Sequence, residues 1–268
     1  MILFLLAFAG LAAVPEAPQD YSLLDRGYRQ MYDLEFGDAH RTFHEFEKAH
    51  PENPLGPVSD AAAYLFFEFD RLKILRSDFF AGKTALGAST GKPDPATKRV
   101  FEADLEQGKR LCDELLKQNP ADETALFAAV LRFALQADYE ALIDKQYLQS
   151  LRDIKQARIG AQKLLVKYPD CYDAYLAIGV ENYLLSQRPV PVRWVLKLTG
   201  AETDRLAGIT ALRVVAEKGH YLQAYAKVLL AIAAVRAGDN AQAKSIISEL
   251  AREFPHNDLF QDELKKRS

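Results

Sequence analysis

The chain has 268 residues, 49% of them hydrophobic and 26% charged, with 34 basic side chains against 37 acidic ones. That is enough apolar material for a core, which removes intrinsic disorder as the default. The near balance of charge leaves no field to recruit nucleic acid or an anionic membrane, so no nucleic-acid partner is expected.

Residues 2–14, ILFLLAFAGLAAV, form an uncharged apolar run followed by PEAPQD, with Gly10, Ala12 and Ala13 near its end. The run is shorter than the roughly 20 residues a membrane-spanning helix needs and has the build of a secretory signal. Residues 1–17 are therefore expected to be a signal peptide or N-terminal apolar segment, and the chain to be exported to the periplasm or cell envelope. No Lys or Arg precedes the apolar core, which leaves a buried N-terminal helix as the alternative.

Next comes DRGYRQMY, with Gly27 where one helix can pack closely on its mate, and then DAHRTFHEFEKAHPENP, with Ala39, Phe43, Phe46 and Pro51 at offsets 0, 4, 7 and 12. Offsets of 4 and 7 put three residues on one helical stripe, the small one admits a neighbouring helix, and Pro stops the helix. On the same segment His40 and His44 lie four apart, with Glu47 one turn on, a geometry able to hold a divalent ion. Lacking a fourth ligand and a neighbouring carboxylate, they are expected to form a solvated polar face; no metal and no cofactor are expected.

Ser59–Phe80 has the pattern of a single helix, and SDFFAGKTALGASTGKPDP follows on from it. Gly82-Lys83-Thr84 invites comparison with a phosphate loop, which needs two glycines separated by four residues, a strand before and a helix after. Ser77 stands at the first glycine position and the preceding segment is helical in pattern. Residues 81–95 are expected to be a long loop between the two helices of one hairpin.

The offsets of the first segment recur four times. EQGKRLCDELLKQNP has Gly108, Cys112, Leu115 and Pro120, and QARIGAQKLLVKYPD has Ala157, Ala161, Leu164 and Pro169. LAGITALRVVAEKGH has Gly208, Leu212 and Val215, with His220 where Pro would stand, and QAKSIISELAREFPHN has Ala243, Ile247, Leu250 and Pro255. Each copy reads as the second helix of a hairpin. AYLAIGVENY, with Ala174, Tyr175, Ile178 and Gly179, carries the first-helix pattern, and no segment alternates long enough to argue for a sheet. Cys112 and Cys171 are expected to be placed by packing, not by a disulfide.

Glu181, Asn182 and Tyr183 interrupt an apolar run. A buried carboxylate shifts its pKa or finds a cation, and Arg205 on the next long helix is the expected partner. In the insert RPVPVRWVLKLTG, residues 188–200, Pro189 and Pro191 break the preceding helix and start a short one carrying Arg193, Trp194 and Lys197. Such a basic helix packs into its own scaffold, docks a partner or touches a membrane surface.

The small, large and Pro positions resemble the tetratricopeptide repeat family, most closely in residues 20–53, 172–187 and 224–257. A fainter similarity links WVLKLTGAETDRLAGITAL to the tetratricopeptide-domain-39 family. The resemblance implies an all-α fold over residues 18–268, a right-handed superhelical solenoid of about five helical hairpins. It also implies a concave groove lined by first helices: Leu24, Tyr28, Met31 and Tyr32; Phe127, Leu131 and Leu135; Leu176, Val180 and Tyr183; Tyr225, Val228 and Ile232. The Lys, Arg and Asn with which family members grip a C-terminal carboxylate are missing at these places, so an apolar or helical peptide segment is the expected occupant. The chain's own insert or its terminal NDLFQDELKKRS could fill the groove instead. The function this implies is a non-catalytic protein–protein interaction scaffold in the cell envelope. A peripheral membrane adaptor, or a non-catalytic subunit of an enzyme complex, is the alternative. No arrangement of nucleophile, base and oxyanion donors is recognisable, and the five His are scattered.

Overall fold

In all five copies the offsets translate into the same helix and the same stop. The residues at offsets 0, 4 and 7 are buried, as in Ala39, Phe43 and Phe46 or Ala243, Ile247 and Leu250, with half-buried Leu115 the one exception. The residue at offset 11 leaves the helix while its N–H still bonds the carbonyl at offset 7. These bonds run from His50 to Phe46, Asn119 to Leu115, Tyr168 to Leu164, Gly219 to Val215 and Phe254 to Leu250, each 2.8 Å long. Four copies then have Pro, which has no N–H to continue the ladder and holds its predecessor out of the α region. In the fifth copy the N–H of His220 bonds the buried Asp173 carboxylate at 2.9 Å instead.

The computed structural model describes residues 21–74, 91–187 and 200–266. Every regular element among them is helical. In chain order these are α1 (Ser22–Tyr32), α2 (Phe36–Ala49), α3 (Leu55–Arg71), α4 (Pro95–Gln118), α5 (Glu123–Tyr139), α6 (Tyr147–Lys167), α7 (Tyr175–Ser186), α8 (Arg205–Lys218), α9 (Gln223–Ala237), α10 (Asn240–Glu253) and α11 (Asp258–Lys266). A π turn at Glu140–Asp144 follows α5, and a 3-10 turn at Tyr172–Ala174 precedes α7. The helices pack as the pairs α1/α2, α3/α4, α5/α6, α7/α8 and α9/α10, each pair against the next, with α11 on α10. The expected signal (1–17), residues 81–90 of the expected loop, and the insert from 188 to 199 with Arg193, Trp194 and Lys197 lie outside the described residues. No helix among the described residues is long and apolar enough to cross a membrane.

The small positions are where helix backbones approach each other. A Cβ added at Gly208 would stand 2.6 Å from the Tyr183 nitrogen and 3.0 Å from the Gly179 oxygen, so α7 and α8 cross main chain to main chain. Side-chain contacts do the same at Gly27 against Phe43 and at Gly108 against Val58. The helix expected over Ser59–Phe80 ends earlier, at Arg71. Lys73 turns left-handed (φ 58°), and the N–H groups of Lys73 and Ile74 bond the carbonyls of Asp70 and Phe69. This is a Schellman stop built without glycine, and α1 ends the same way at Leu34 (φ 63°).

The first hairpin also meets the last. Asp33, at the end of α1, accepts the backbone N–H groups of His256 and Asn257 at 2.8 and 3.1 Å, and buried Asn257 donates its amide to the Tyr32 carbonyl at 2.7 Å. The Tyr32 hydroxyl donates to the Tyr221 carbonyl at 3.0 Å, and Tyr28 stacks on Tyr221 with ring centroids 4.9 Å apart. The array therefore closes on itself. Asp33→Ala removes two backbone hydrogen bonds, each worth about 1 kcal/mol. Hydrogen exchange is expected to show protection lost in α1 and α11 together, with α5 and α6 unchanged. Loss at one chain end alone would contradict closure.

Candidate functional site

The face expected to line an open groove points into the closed interior. Tyr28, Tyr32, Phe127, Leu131, Leu176 and Tyr183 are buried, while Val180, Tyr225, Val228 and Ile232 are half-buried. Tyr28, Tyr32, Leu131, Leu176, Val180 and Tyr225 come together around a cavity of ≈ 40 Å³. Tyr32, Tyr225, Val228 and Ile232 wall a second, of ≈ 70 Å³, completed by Leu250 of α10 and by Leu259 and Phe260 of α11. Phe127 packs instead on Tyr221, and Tyr183 lies in the core at the α7/α8 crossing. Aromatic contacts from Phe66 to Tyr32 and to Tyr225, at 5.6 and 5.3 Å between centroids, bridge the first, second and fifth hairpins. The groove is thus narrowed by its own lining and by the terminal helix; among the described residues an apolar cleft stays accessible between α1, α9, α10 and α11, and a more polar one at the seam, lined by Asp25, Tyr28, Tyr32, His220 and Tyr221.

One polar group faces this interior that the groove pattern does not show. Asp138 of α5 lines the smaller cavity and accepts the Tyr225 hydroxyl at 3.0 Å. Burial pushes its carboxyl up to about 6, against the lowering effect of the Tyr225 bond. Its signal in the sequence is a lone carboxylate inside an otherwise apolar helix face.

Glu181 is buried, and its cation is Arg158 of α6, not Arg205, which is exposed at the start of α8. Arg158 Nε donates to Glu181 at 2.6 Å, while its other nitrogens reach Gln162, Glu202 and the Gly200 carbonyl at 2.8, 3.2 and 2.9 Å. Desolvation raises the Glu181 pKa and Arg158 opposes it. Asn182 donates to Glu202 and accepts from the Asp204 N–H. The network therefore fixes the chain where it returns from residues 188–199.

The expected solvated face on α2 is instead one wall of a cluster with buried carboxylates. Asp60 of α3 is fully buried and accepts from His40 Nδ1 at 2.5 Å through Oδ1. Its Oδ2 lies 3.0 Å from His44 Nε2 yet has no hydrogen-bond partner, because the contact misses the direction a ring N–H needs. Ligand-type atoms of His44, Glu47 and Asp60 all lie within 4.8 Å of one another. Asp104 of α4 faces the same group with a buried, unpartnered Oδ2; burial first, then the charges of Asp60 and Glu47, push its carboxyl up to about 8. Gln107 donates to Glu47 across 3.4 Å, and His40 lies over the Tyr64 ring at 3.9 Å between centroids. Asp60 and Asp104 supply what the α2 motif lacked. They come from the two following helices, 16 and 60 residues beyond His44, and the visible clue was a carboxylate set in the small-residue run SDAAAY. A second group, Asp33, Glu35 and His256, sits at the seam, where Asp33 already holds two backbone N–H groups. Cys112 and Cys171 are both free, their thiols pushed up to about 12 by burial.

No family model, curated protein or solved structure matches the chain.

Two outcomes follow from the buried charges. Arg158→Met leaves Glu181 buried without a cation, which is expected to cost about 3–5 kcal/mol in urea unfolding; adding Glu181→Leu should restore much of it. For Asp138, the ordinary value of 3.8 rises to about 6 on folding. The folded state then holds the proton more tightly, so stability falls as pH rises from about 4 to about 6 and levels above that. Asp138→Asn, which can still accept from Tyr225, should lose this slope and exceed the unsubstituted chain by a few degrees of Tm at pH 7 but not at pH 4.

Proposed function

We propose that the chain is a tetratricopeptide-type, non-catalytic interaction scaffold of the cell envelope, its hairpins wound as a right-handed superhelix. The single observation that supports this reading best is the fivefold recurrence of one helix stripe and one helix stop in consecutive hairpins. Repeats of that kind build extended surfaces from nearest-neighbour contacts. The cleft walled by Met31, Val228, Ile232, Val235, Leu259 and Phe260 is apolar and suits the apolar side of a partner's helix or extended segment. The apolar leader, residues 2–14, supports export.

Crosslinking in the native host, followed by affinity purification and cell fractionation, tests both parts. The expected result is an envelope-fraction protein whose N-terminus begins near residue 18, with a crosslinked partner mapped to α9 or α11. Ile232→Asp should reduce recovery of that partner about tenfold or more, the scale of a lost anchor residue, while leaving the circular dichroism helical. Cytoplasmic recovery with Met1 intact would overturn the location, and a partner unaffected by Ile232→Asp would overturn the cleft.

A further inference from the structure

We propose that His44, Glu47 and Asp60, with Asp104 facing them, bind a first-row divalent transition-metal ion of the zinc type, with His40 as a positioning residue. This goes beyond the scaffold reading and does not rest on it.

The donor set is mixed imidazole and carboxylate, drawn from three helices that the first two hairpins bring together: α2, α3 and α4. Such N/O ligands suit zinc and its neighbours, whose bonds of about 2.0–2.2 Å place two ligands of one ion roughly 3.0–3.5 Å apart. The His44 Nε2 to Asp60 Oδ2 separation is 3.0 Å, without a hydrogen bond to account for it. Asp60 is fully buried and cannot turn to water for its second oxygen. A buried polar atom without a partner costs free energy that a bound cation would offset.

Charge points the same way. Among the described residues, the charges that push Asp104 up are those of Asp60 and Glu47, both acidic, while the His44 ring and the Gln107 amide oppose the rise at Glu47. Among the described residues three carboxylates are therefore gathered beside two imidazoles. Three other buried carboxylates are provided for differently: Glu68 has Arg71, Glu181 has Arg158 and Asp173 has three backbone N–H groups. Buried Glu140 also keeps an unpartnered Oε2, but it belongs to no group of metal-type ligands among the described residues.

The outer contacts match those that orient metal ligands. His40 holds Asp60 by Oδ1 and leaves Oδ2 turned toward His44; Gln107 reaches one oxygen of Glu47. The Glu47 stem lies against Gly56, where an added Cβ would come within 2.5 Å of Cγ. The floor of the site is buried Asp60, and its mouth is the His44 ring, about half exposed at 53%. An ion can enter there and keep a position for water or an added ligand.

The test uses the full chain, stripped with a chelator and titrated with Co2+ and then Zn2+ by visible absorption and calorimetry. The expected result is one equivalent of Co2+ with d–d bands of a four- or five-coordinate site, displaced by Zn2+, and a Tm that rises with free metal. His44→Gln changes an exposed ring and should leave the fold intact while weakening affinity about tenfold or more; Glu47→Gln should do the same. His256→Gln, in the seam group, should bind as the unsubstituted chain does. Absence of bands and heat with the unsubstituted chain would overturn the proposal, as would His44→Gln or Glu47→Gln binding unchanged, or His256→Gln abolishing binding.

Discussion

The architecture depends on stopping a helix four residues after its third buried position. At offset 7 the carbonyl takes its N–H from a residue already leaving the helix, and the proline that follows offers no further N–H. The chain must then reverse, and it does so with the buried stripe fixed in register, its small position at offset 0 set against the preceding helix of the same hairpin. Gly108 and Gly208 show how little room is left there: a single added carbon would meet Val58 or the backbone of Tyr183. Each hairpin's crossing is thereby set by local covalent facts, and the stack follows from repeating them.

That dependence explains what could be read from sequence. Offsets 4, 7 and 12 are short-range and printed in the chain, so the paired helices and their stops were legible. Three kinds of feature were not. Left-handed helix ends at Leu34 and Lys73 use residues that carry no turn signature, which is why the sequence pattern runs on to Phe80 although α3 ends at Arg71. The cation for Glu181 could come from the helix before or after, and spacing alone does not choose between Arg158 and Arg205. Closure joins residues more than 220 apart in sequence, as from Asp33 to Asn257, and no periodic pattern encodes it. The relation of His40 and His44 to Asp60 and Asp104 spans 16 to 64 residues and three helices, and it too has no period in the sequence.

Three buried carboxylates share one use. Asp173 gathers the N–H groups of His220, Tyr221 and Leu222 and so shapes the turn between α8 and α9. Glu68 binds Arg71 and the Asp94 N–H, tying the end of α3 to the start of α4 across residues 75–90. Glu181 and Arg158 hold the return of the chain after residue 199. Each of these three carboxylates pins a connection that helix packing alone would leave loose, because backbone groups at turns lack helical partners. Asp60 lies in mid-helix and pins no connection, which sets it apart from the other three.

Closure also bears on how such a chain can vary. An open array tolerates gain or loss of a unit, since a new hairpin needs only a neighbour to stack on. Here α1 must reach both the α8–α9 turn and the segment before α11. Duplicating or deleting one hairpin would carry these surfaces past each other and expose the tyrosines now stacked between them. The number of hairpins is consequently fixed by geometry in the way the blade count of a propeller is, and length variation is confined to the connections between helices.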